Sequence, residues 1–186
     1  MKNQLLLVIL TILSVSGLYA QEFKPFKVDV GINLTAALGN TSGSGIGGYL
    51  EPRFSSNDHL TFGLRLESAG FSSGNITINT REIDISSTSV KKMTFVTEYF
   101  FNTAQVRPFI GFGLGVFQRQ SYGVNVGLTS ISVGELNNSL TNFGFAPRVG
   151  VNAGHLRISG MMNFSGNDIA NFFSLNVGFE FGGGRQ

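Results

Sequence analysis

Residues 26–38, FKVDVGINLTAAL, decide the fold of this chain because apolar side chains alternate along them with polar or small ones. Successive side chains of a β-strand point to opposite faces of the sheet, so this period of two predicts a strand with one apolar face. The stretch is also about as long as a tilted membrane-spanning β-strand, which needs ~9–11 residues. It therefore predicts a strand of membrane-spanning length.

Seven further segments show the same alternation, and no helical periodicity appears after residue 20. The chain thus contains eight predicted strands, and bacterial single-chain outer-membrane barrels use an even number. We therefore expect an all-β fold, an eight-stranded antiparallel up-and-down transmembrane β-barrel. The seven segments lie at 46–54, 59–69, 90–101, 106–117, 143–153, 156–164 and 172–181.

The predicted connections alternate in length. Those after the third and fifth strands are long, at roughly 70–89 and 118–142, while those after the first and seventh are intermediate. Outer-membrane barrels have short periplasmic turns and longer outer loops, so a periplasmic N-terminus places every tight turn in the periplasm. Alternation persists within both long loops, at 76–78 and 122–126, and predicts strands that continue as protruding hairpins. The tight connections lie at 55–58, 102–105 and 154–155.

Alternation alone fits a soluble lipocalin-like barrel equally well, and the choice depends on which face points outward. A soluble barrel would turn its apolar face inward and leave its surface to glycines and a few charges. Charged residues make up 13% of this chain, about half the ~25% of an average soluble protein. Gly and Phe reach 25 and 18 residues. This composition favours a membrane barrel, whose apolar face meets lipid and whose polar face lines the lumen.

The polar faces of the predicted strands carry nearly balanced charges. Eight strands enclose an interior that side chains can just fill, and charges buried there need partners because their desolvation is costly. We therefore expect a plugged lumen with an ion-pair network; the alternative is a proton or ion path. The charged residues predicted to line the lumen are Lys27, Asp29, Glu51, Arg53, Arg65, Glu67, Glu98, Arg107, Arg148, Arg157 and Glu180.

Three prolines fall inside the predicted strands. Proline removes a hydrogen bond from the ladder and is found mainly at edges or bulges. We expect Pro108 to lie at a strand start, and Pro52 and Pro147 to mark bulges or local irregularities.

Residues 1–20 are predicted to be a secretory signal peptide, in which Lys2 precedes an apolar run at 5–13 and small residues lead to Ala20. The run is too short to cross a bilayer as a helix, which needs ~20 residues; an uncleaved anchor is the alternative. We expect residues 21–186 to form one outer-membrane β-barrel domain, integral to the bacterial outer membrane. The chain contains no cysteine, which excludes disulfides and thiolate metal sites, and its net charge of +2 gives no basis for nucleic-acid binding.

Side chains suited to catalysis are scarce. The two histidines, His59 and His155, fall at predicted periplasmic turns, whereas a lipase or acyltransferase of this membrane acts at the outer leaflet. A Ser–His–acid site needs its members within hydrogen-bond reach, and the predicted outer loops contain no histidine. The glycine-rich run 111–115 lies inside a strand and not before a helix, so it does not predict a phosphate site. We therefore expect no enzyme activity, no cofactor and no metal site.

The chain resembles the outer-membrane-protein β-barrel domain family, whose members share the architecture of the OmpA and OmpX barrels. The resemblance implies insertion by the barrel-assembly machinery, which reads a final strand that ends in an aromatic residue. Phe179 and Phe181 fit this signal, although residues 182–186 follow where many barrels end. The segments that carry the likeness are NDHLTFGLRLE (57–67), EYFFN (98–102), RPFIGFGLG (107–115) and APRVG (146–150).

Fold motifs do not specify activity. We expect a structural or surface-interaction role of the adhesion type, with an extracellular partner at loops 70–89 and 118–142. Outer-membrane lipid and lipopolysaccharide are further expected partners, and Lys91 and Lys92 are expected to be solvated or to meet lipopolysaccharide phosphates. The alternatives are an outer-membrane lipid-modifying enzyme and a soluble lipocalin-like carrier.

Overall fold

The computed structural model describes residues 23–38, 43–77, 82–127, 130–132, 140–166 and 171–185. The predicted signal peptide at 1–20 lies outside these residues. Within them, no helix is long and apolar enough to cross a membrane.

Eight long strands form a closed antiparallel barrel in which each strand pairs with its neighbours along the chain and the last pairs with the first. A ninth, three-residue strand, β6, pairs with the far end of β5. This arrangement confirms the predicted eight-stranded up-and-down barrel. The strands are β1 (Phe23–Ala37), β2 (Ser44–Ser55), β3 (Leu60–Thr77), β4 (Glu82–Phe100), β5 (Val106–Gly127), β6 (Ser130–Ser132), β7 (Leu140–Ala153), β8 (Leu156–Ser165) and β9 (Phe172–Arg185).

Apolar side chains cover the outside of the barrel, and polar side chains fill its inside. Phe143 and Ile46 on the outer wall are 67% and 63% exposed, whereas Asp29, Glu51 and Arg65 in the lumen are fully buried. The alternation follows directly from the period of two along each strand. The core of this protein is therefore its lumen, where polar and charged side chains predominate, and most of its large apolar residues lie on the outer surface.

The barrel has two different ends. At the first, which we call the turn end, short connections at 56–59, 101–105 and 154–155 join the strands. At the opposite, loop end, β3, β4 and β5 extend well beyond their predicted limits, and β3 stays paired with β4 as far as Thr77 and Glu82. This pairing matches the hairpin predicted within 70–89, so most of that predicted loop is strand.

Pro52 and Pro147 do not shift the register of their strands. The pairings of Leu50 with Leu66 and of Arg53 with Gly63 keep the same register on both sides of Pro52, and the register past Pro147 is likewise unchanged. The prediction of bulges or local irregularities at these two positions is confirmed as a local irregularity, without a bulge. The β2–β3 ladder is interrupted at Glu51 and Pro52 and the β7–β8 ladder at Ala146 and Pro147, but the strands are not shifted. A register shift does occur between β1 and β9, in the interval from Lys24 to Lys27 that contains Pro25. It is opposite Gly182 and Gly183, whose positive φ angles of 77° and 68° suit glycine.

Candidate functional site

The inward faces of the strands bring most of the predicted lumen charges into one buried cluster. These side chains lie inside the barrel because they are on the inward face of each strand. Closure of the sheet brings them together although they are far apart in sequence. The members that the structure buries there are Lys27, Asp29, Glu51, Arg53, Arg65, Glu67, Glu98, Arg148, Arg157 and Glu180. We call this set the lumen network.

Glu51 on β2 is one centre of the lumen network. Both of its carboxylate oxygens accept hydrogen bonds from Arg148 on β7, each at 2.7 Å. Arg65 Nη1 donates to Glu51 Oε2 at 3.2 Å, and Arg53 Nε lies 3.4 Å from Glu51 Oε1. The paired, fork-like geometry to Arg148 is the strongest form of a guanidinium–carboxylate contact.

Glu98 on β4 is the second centre. Its carboxylate pairs with Arg53, Arg148 and Arg157, which come from three different strands. Arg148 therefore bridges Glu51 and Glu98, and the two carboxylates share their arginines. Charges in a low-dielectric interior persist only when paired and hydrogen-bonded, and this sharing meets that need.

Towards the turn end, Glu180 on β9 completes the network. It accepts hydrogen bonds from Lys27 Nζ at 3.0 Å and from Arg53 Nη1 at 2.5 Å. Asn152 Nδ2 donates to the same carboxylate at 3.4 Å. Arg53 thus connects Glu180 with Glu98, so the ion pairs form one continuous chain along the lumen.

Towards the loop end, Glu67 pairs with Arg65 at 2.6 Å and with Lys92 at 3.0 Å. Lys92 is 4% exposed and also donates to Asn163 Oδ1 at 2.6 Å. The expectation that Lys92 would be solvated or meet lipopolysaccharide is therefore wrong, whereas Lys91 is exposed on the outer wall. The sequence did indicate this position, because residue 92 is an even number of residues from Thr94 and Glu98 and therefore lies on the same, inward face of β4.

Tyr49 is a lumen residue that the sequence analysis did not identify. Its hydroxyl donates to the Asp29 carboxylate at 3.3 Å, and the Arg65 guanidinium lies 3.6 Å from the centre of its ring. Arg157 Nε approaches Asp29 at 3.2 Å from the other side. A Cβ at Gly178 would lie 2.1 Å from the Tyr49 hydroxyl, so this lumenal glycine makes room for the ring.

Aromatic side chains close the lumen on both sides of the network. At the loop end, Phe71 and Phe172 meet edge to face with ring centres 5.3 Å apart, within a buried cluster that also contains Phe117. At the turn end, the rings of Phe100 and Phe109 lie 5.3 Å apart and are buried. The lumen is thus filled along its length by side chains, as eight strands permit.

Arg107 lies apart from the lumen network. It is about half-buried at the turn end, where its guanidinium donates to the backbone oxygens of Asn102 and Asp58 and covers the ring of Phe100 at 4.4 Å. Its prediction as a member of the ion-pair network is wrong, because it comes one residue after the start of β5 and reaches only the mouth of the barrel.

Both histidines lie at the turn end and bind backbone. His59 Nδ1 is 2.7 Å from the carbonyl oxygen of Phe100, and His155 Nδ1 is 2.9 Å from that of Glu180. Each contact ties a tight turn to the neighbouring strand. The described residues contain no group of three or more acidic or histidine side chains placed to hold a metal ion.

At the loop end, part of the sheet extends beyond the other described strands. Within the described residues, the β2–β3 pairing extends to Ser72 and the β5–β7 pairing to Arg119. Beyond these points β3, β4 and β5 continue to pair, and β6 adds to the edge of β5 at Asn125. At ~3.3 Å per residue, the eight residues of β5 after Arg119 extend for roughly 26 Å. We call residues 73–77, 82–89, 120–127 and 130–132 the projecting sheet.

Comparisons with solved structures identify the same fold. Neisserial surface protein A superimposes with a TM-score of 0.59 at 15% identity, over 86% of this chain and 96% of that protein. Ail, the attachment invasion locus protein of Yersinia pestis, superimposes with a TM-score of 0.50 at 14% identity, over 87% of this chain and all of that protein. No protein-family model and no curated protein matches the sequence. The chain therefore has the fold of the small OmpA- and OmpX-like outer-membrane barrels.

Proposed function

We propose that this chain is an integral protein of the bacterial outer membrane whose filled barrel supports the projecting sheet as a surface for contact outside the cell. The observation that carries the proposal is the inside-out distribution of side chains. Exposed Phe, Leu, Ile and Val side chains form the outer wall. With Lys92 included, six cations and five anions are buried in the lumen. Such a surface is stable against hydrocarbon and unfavourable in water.

The orientation follows from the two ends of the barrel. Short turns face the periplasm in such barrels, and longer loops face outward. The turn end is then periplasmic and the projecting sheet is extracellular. Because its lumen is filled, the barrel is suited to hold the projecting sheet in place and is not suited to act as a pore.

The projecting sheet is suited to contact through the backbone of its strands. Among the residues that the structure describes, β3 beyond Ser72 is paired with β4 and with no strand on its other side. Open strand edges are sites at which another extended chain can add. The name of Ail describes attachment for that protein; for this chain the proposal depends on the sheet itself.

Two alternatives are weaker. A soluble lipocalin-like carrier would need an apolar interior, and the described lumen has the opposite character. A lipid-modifying enzyme would need a polar catalytic group at the outer leaflet, and both histidines are engaged with backbone at the other end.

Cell fractionation tests the membrane assignment. We expect the processed chain in the outer-membrane fraction, extractable only with detergent and folded as judged by heat-dependent mobility on a gel. Recovery of a folded, detergent-free protein from the soluble fraction would contradict it.

Shortened hairpins test the contact role. Replacing residues 75–84 by a two-residue Asn-Gly turn keeps Gly74 paired with Ile85, and replacing residues 120–139 in the same way keeps Arg119 paired with Leu140. Bacteria displaying either form are compared with the intact form for attachment to immobilised matrix proteins and glycans. We expect attachment to fall while the amount of inserted barrel stays constant; equal attachment by all three forms would refute the role of the sheet.

A further inference from the structure

A groove of about 680 Å³ crosses the apolar outer wall of the barrel. It runs over five neighbouring strands, from Tyr99 at the turn end of β4 to Phe173 at the loop end of β9. Neighbouring strands are ~4.8 Å apart, so the four intervals give a length of about 19 Å. Since barrel strands are tilted by ~35–45°, a groove that crosses them rises obliquely along the wall.

The groove exists because small residues occupy outward positions between large ones. Gly160 on β8 faces outward without a side chain, and Val149 and Leu175 are its partners on the neighbouring strands. On the loop-end side, Phe145 stacks with Phe112 and with Phe164 at 6.0 and 5.0 Å between ring centres, which forms a raised wall. The floor at Gly160 is therefore flanked by a ridge of rings.

The lining of the groove selects for hydrocarbon. Its outward side chains include Ile110, Phe112 and Met162, and none of the outward side chains carries a charge. Arg148 borders the groove, but its side chain points into the lumen and binds Glu51. The groove is continuous with the apolar belt, whose neighbour in the bilayer is the acyl region of lipid. Its length of about 19 Å compares with the ~15 Å of hydrocarbon in one leaflet.

The turn end of the groove has a polar tip. Tyr99 lines the groove there, and its ring stacks on His59 with the centres 5.7 Å apart. Aromatic rings with a polar edge are favoured at the level of lipid headgroups. A lipid chain would therefore enter from this end and keep its headgroup beside the two rings.

We propose that this groove holds one acyl chain of a phospholipid from the periplasmic leaflet, with the headgroup beside Tyr99 and His59. The inference rests on the proposed membrane location and adds to it a single retained lipid at a defined place on the wall.

Native mass spectrometry tests the site with the full processed chain. The protein is inserted into vesicles of phosphatidylethanolamine and phosphatidylglycerol at 3:1 and then extracted in mild detergent. Gly160→Phe fills the floor of the groove, where an added Cβ would meet the Phe173 ring at an ordinary 3.4 Å. Gly48→Phe is the matched control, because Gly48 also faces outward and has no atom nearer than 3.6 Å to an added Cβ.

We expect one phospholipid retained by the wild type and by Gly48→Phe, and at least fivefold lower occupancy in Gly160→Phe. Tyr99→Phe leaves the groove open and should lower occupancy about twofold by removing the hydroxyl. If Gly160→Phe does not insert, Gly160→Leu provides a smaller filling side chain with the same expected direction. Equal lipid occupancy in Gly160→Phe and Gly48→Phe would overturn the inference. A wild-type dimer that dissociates in Gly160→Phe would also overturn it, because the groove would then hold a second copy of the chain. Failure of the wild type to float with the vesicles would instead refute the proposed membrane location.

Discussion

Substitution of Arg148 by methionine removes the residue that joins the two centres of the lumen network. Arg148 is 2% exposed, donates two hydrogen bonds of 2.7 Å to Glu51 and also pairs with Glu98. Methionine keeps much of the length of the side chain but supplies neither charge nor donor. The substitution therefore leaves both carboxylates with one arginine fewer in a site from which water is excluded.

The expected loss in the free energy of unfolding is about 3–5 kcal/mol. Two hydrogen bonds to a charged group contribute ~1.5–3 kcal/mol each, and removing one partner of a buried ion pair typically costs ~3–5 kcal/mol. Arg65 and Arg53 still approach Glu51 after the change, which keeps the loss within this range. Adding Glu51→Gln to Arg148→Met removes the carboxylate that Arg148 bound, so the double variant should lose ~1–3 kcal/mol less than the sum of the two single losses.

Reversible urea unfolding of the barrel in phospholipid vesicles, followed by far-UV circular dichroism, measures these differences. Arg107→Met is the matched control, because this arginine is only half-buried at the mouth of the barrel and should cost about 1 kcal/mol. A loss below ~1 kcal/mol for Arg148→Met, equal to that of the control, would refute the reasoning. It would mean that water reaches Glu51 and replaces the arginine.

Three further outcomes follow from the same structure. Leu114→Arg on the outer wall should cost ~2–4 kcal/mol in vesicles, where a charge meets hydrocarbon; a soluble barrel would tolerate it, so unchanged stability would contradict the membrane-facing wall. Gly178→Val should cost ~1–3 kcal/mol by overpacking the lumen, whereas Gly48→Val on the outer wall should stay within ~0.5 kcal/mol, and equal urea midpoints would speak against a close-packed lumen. Amides of the paired segments 74–77 and 82–85 should be protected from hydrogen exchange; rapid exchange throughout both would show that the projecting hairpin does not persist.

The period of two was enough to predict the eight long strands and the two faces of each. Parity assigns a residue to the lumen or to the wall without knowledge of its neighbours, because a strand has only two faces. It placed Glu51, Arg148 and Glu180 inward, and the structure has them there. The same rule would have placed Lys92 inward as well, because Lys92 precedes the inward-facing Thr94 by two residues on β4.

Only the tertiary structure decided which lumen residues meet. Arg148 and Glu51 are 97 positions apart, and their contact depends on the registers of several strand pairs and on closure of the sheet. Depth along the barrel axis is likewise a result of register, and for this reason Arg107 stays at the mouth although its parity points inward. The oblique groove, the aromatic plugs and the projecting sheet are also products of neighbouring strands. Sequence periodicity determines which face of a strand a side chain lies on. A contact between two lumen side chains also needs the same depth along the barrel axis and a partner across the barrel, and both depend on closure of the sheet.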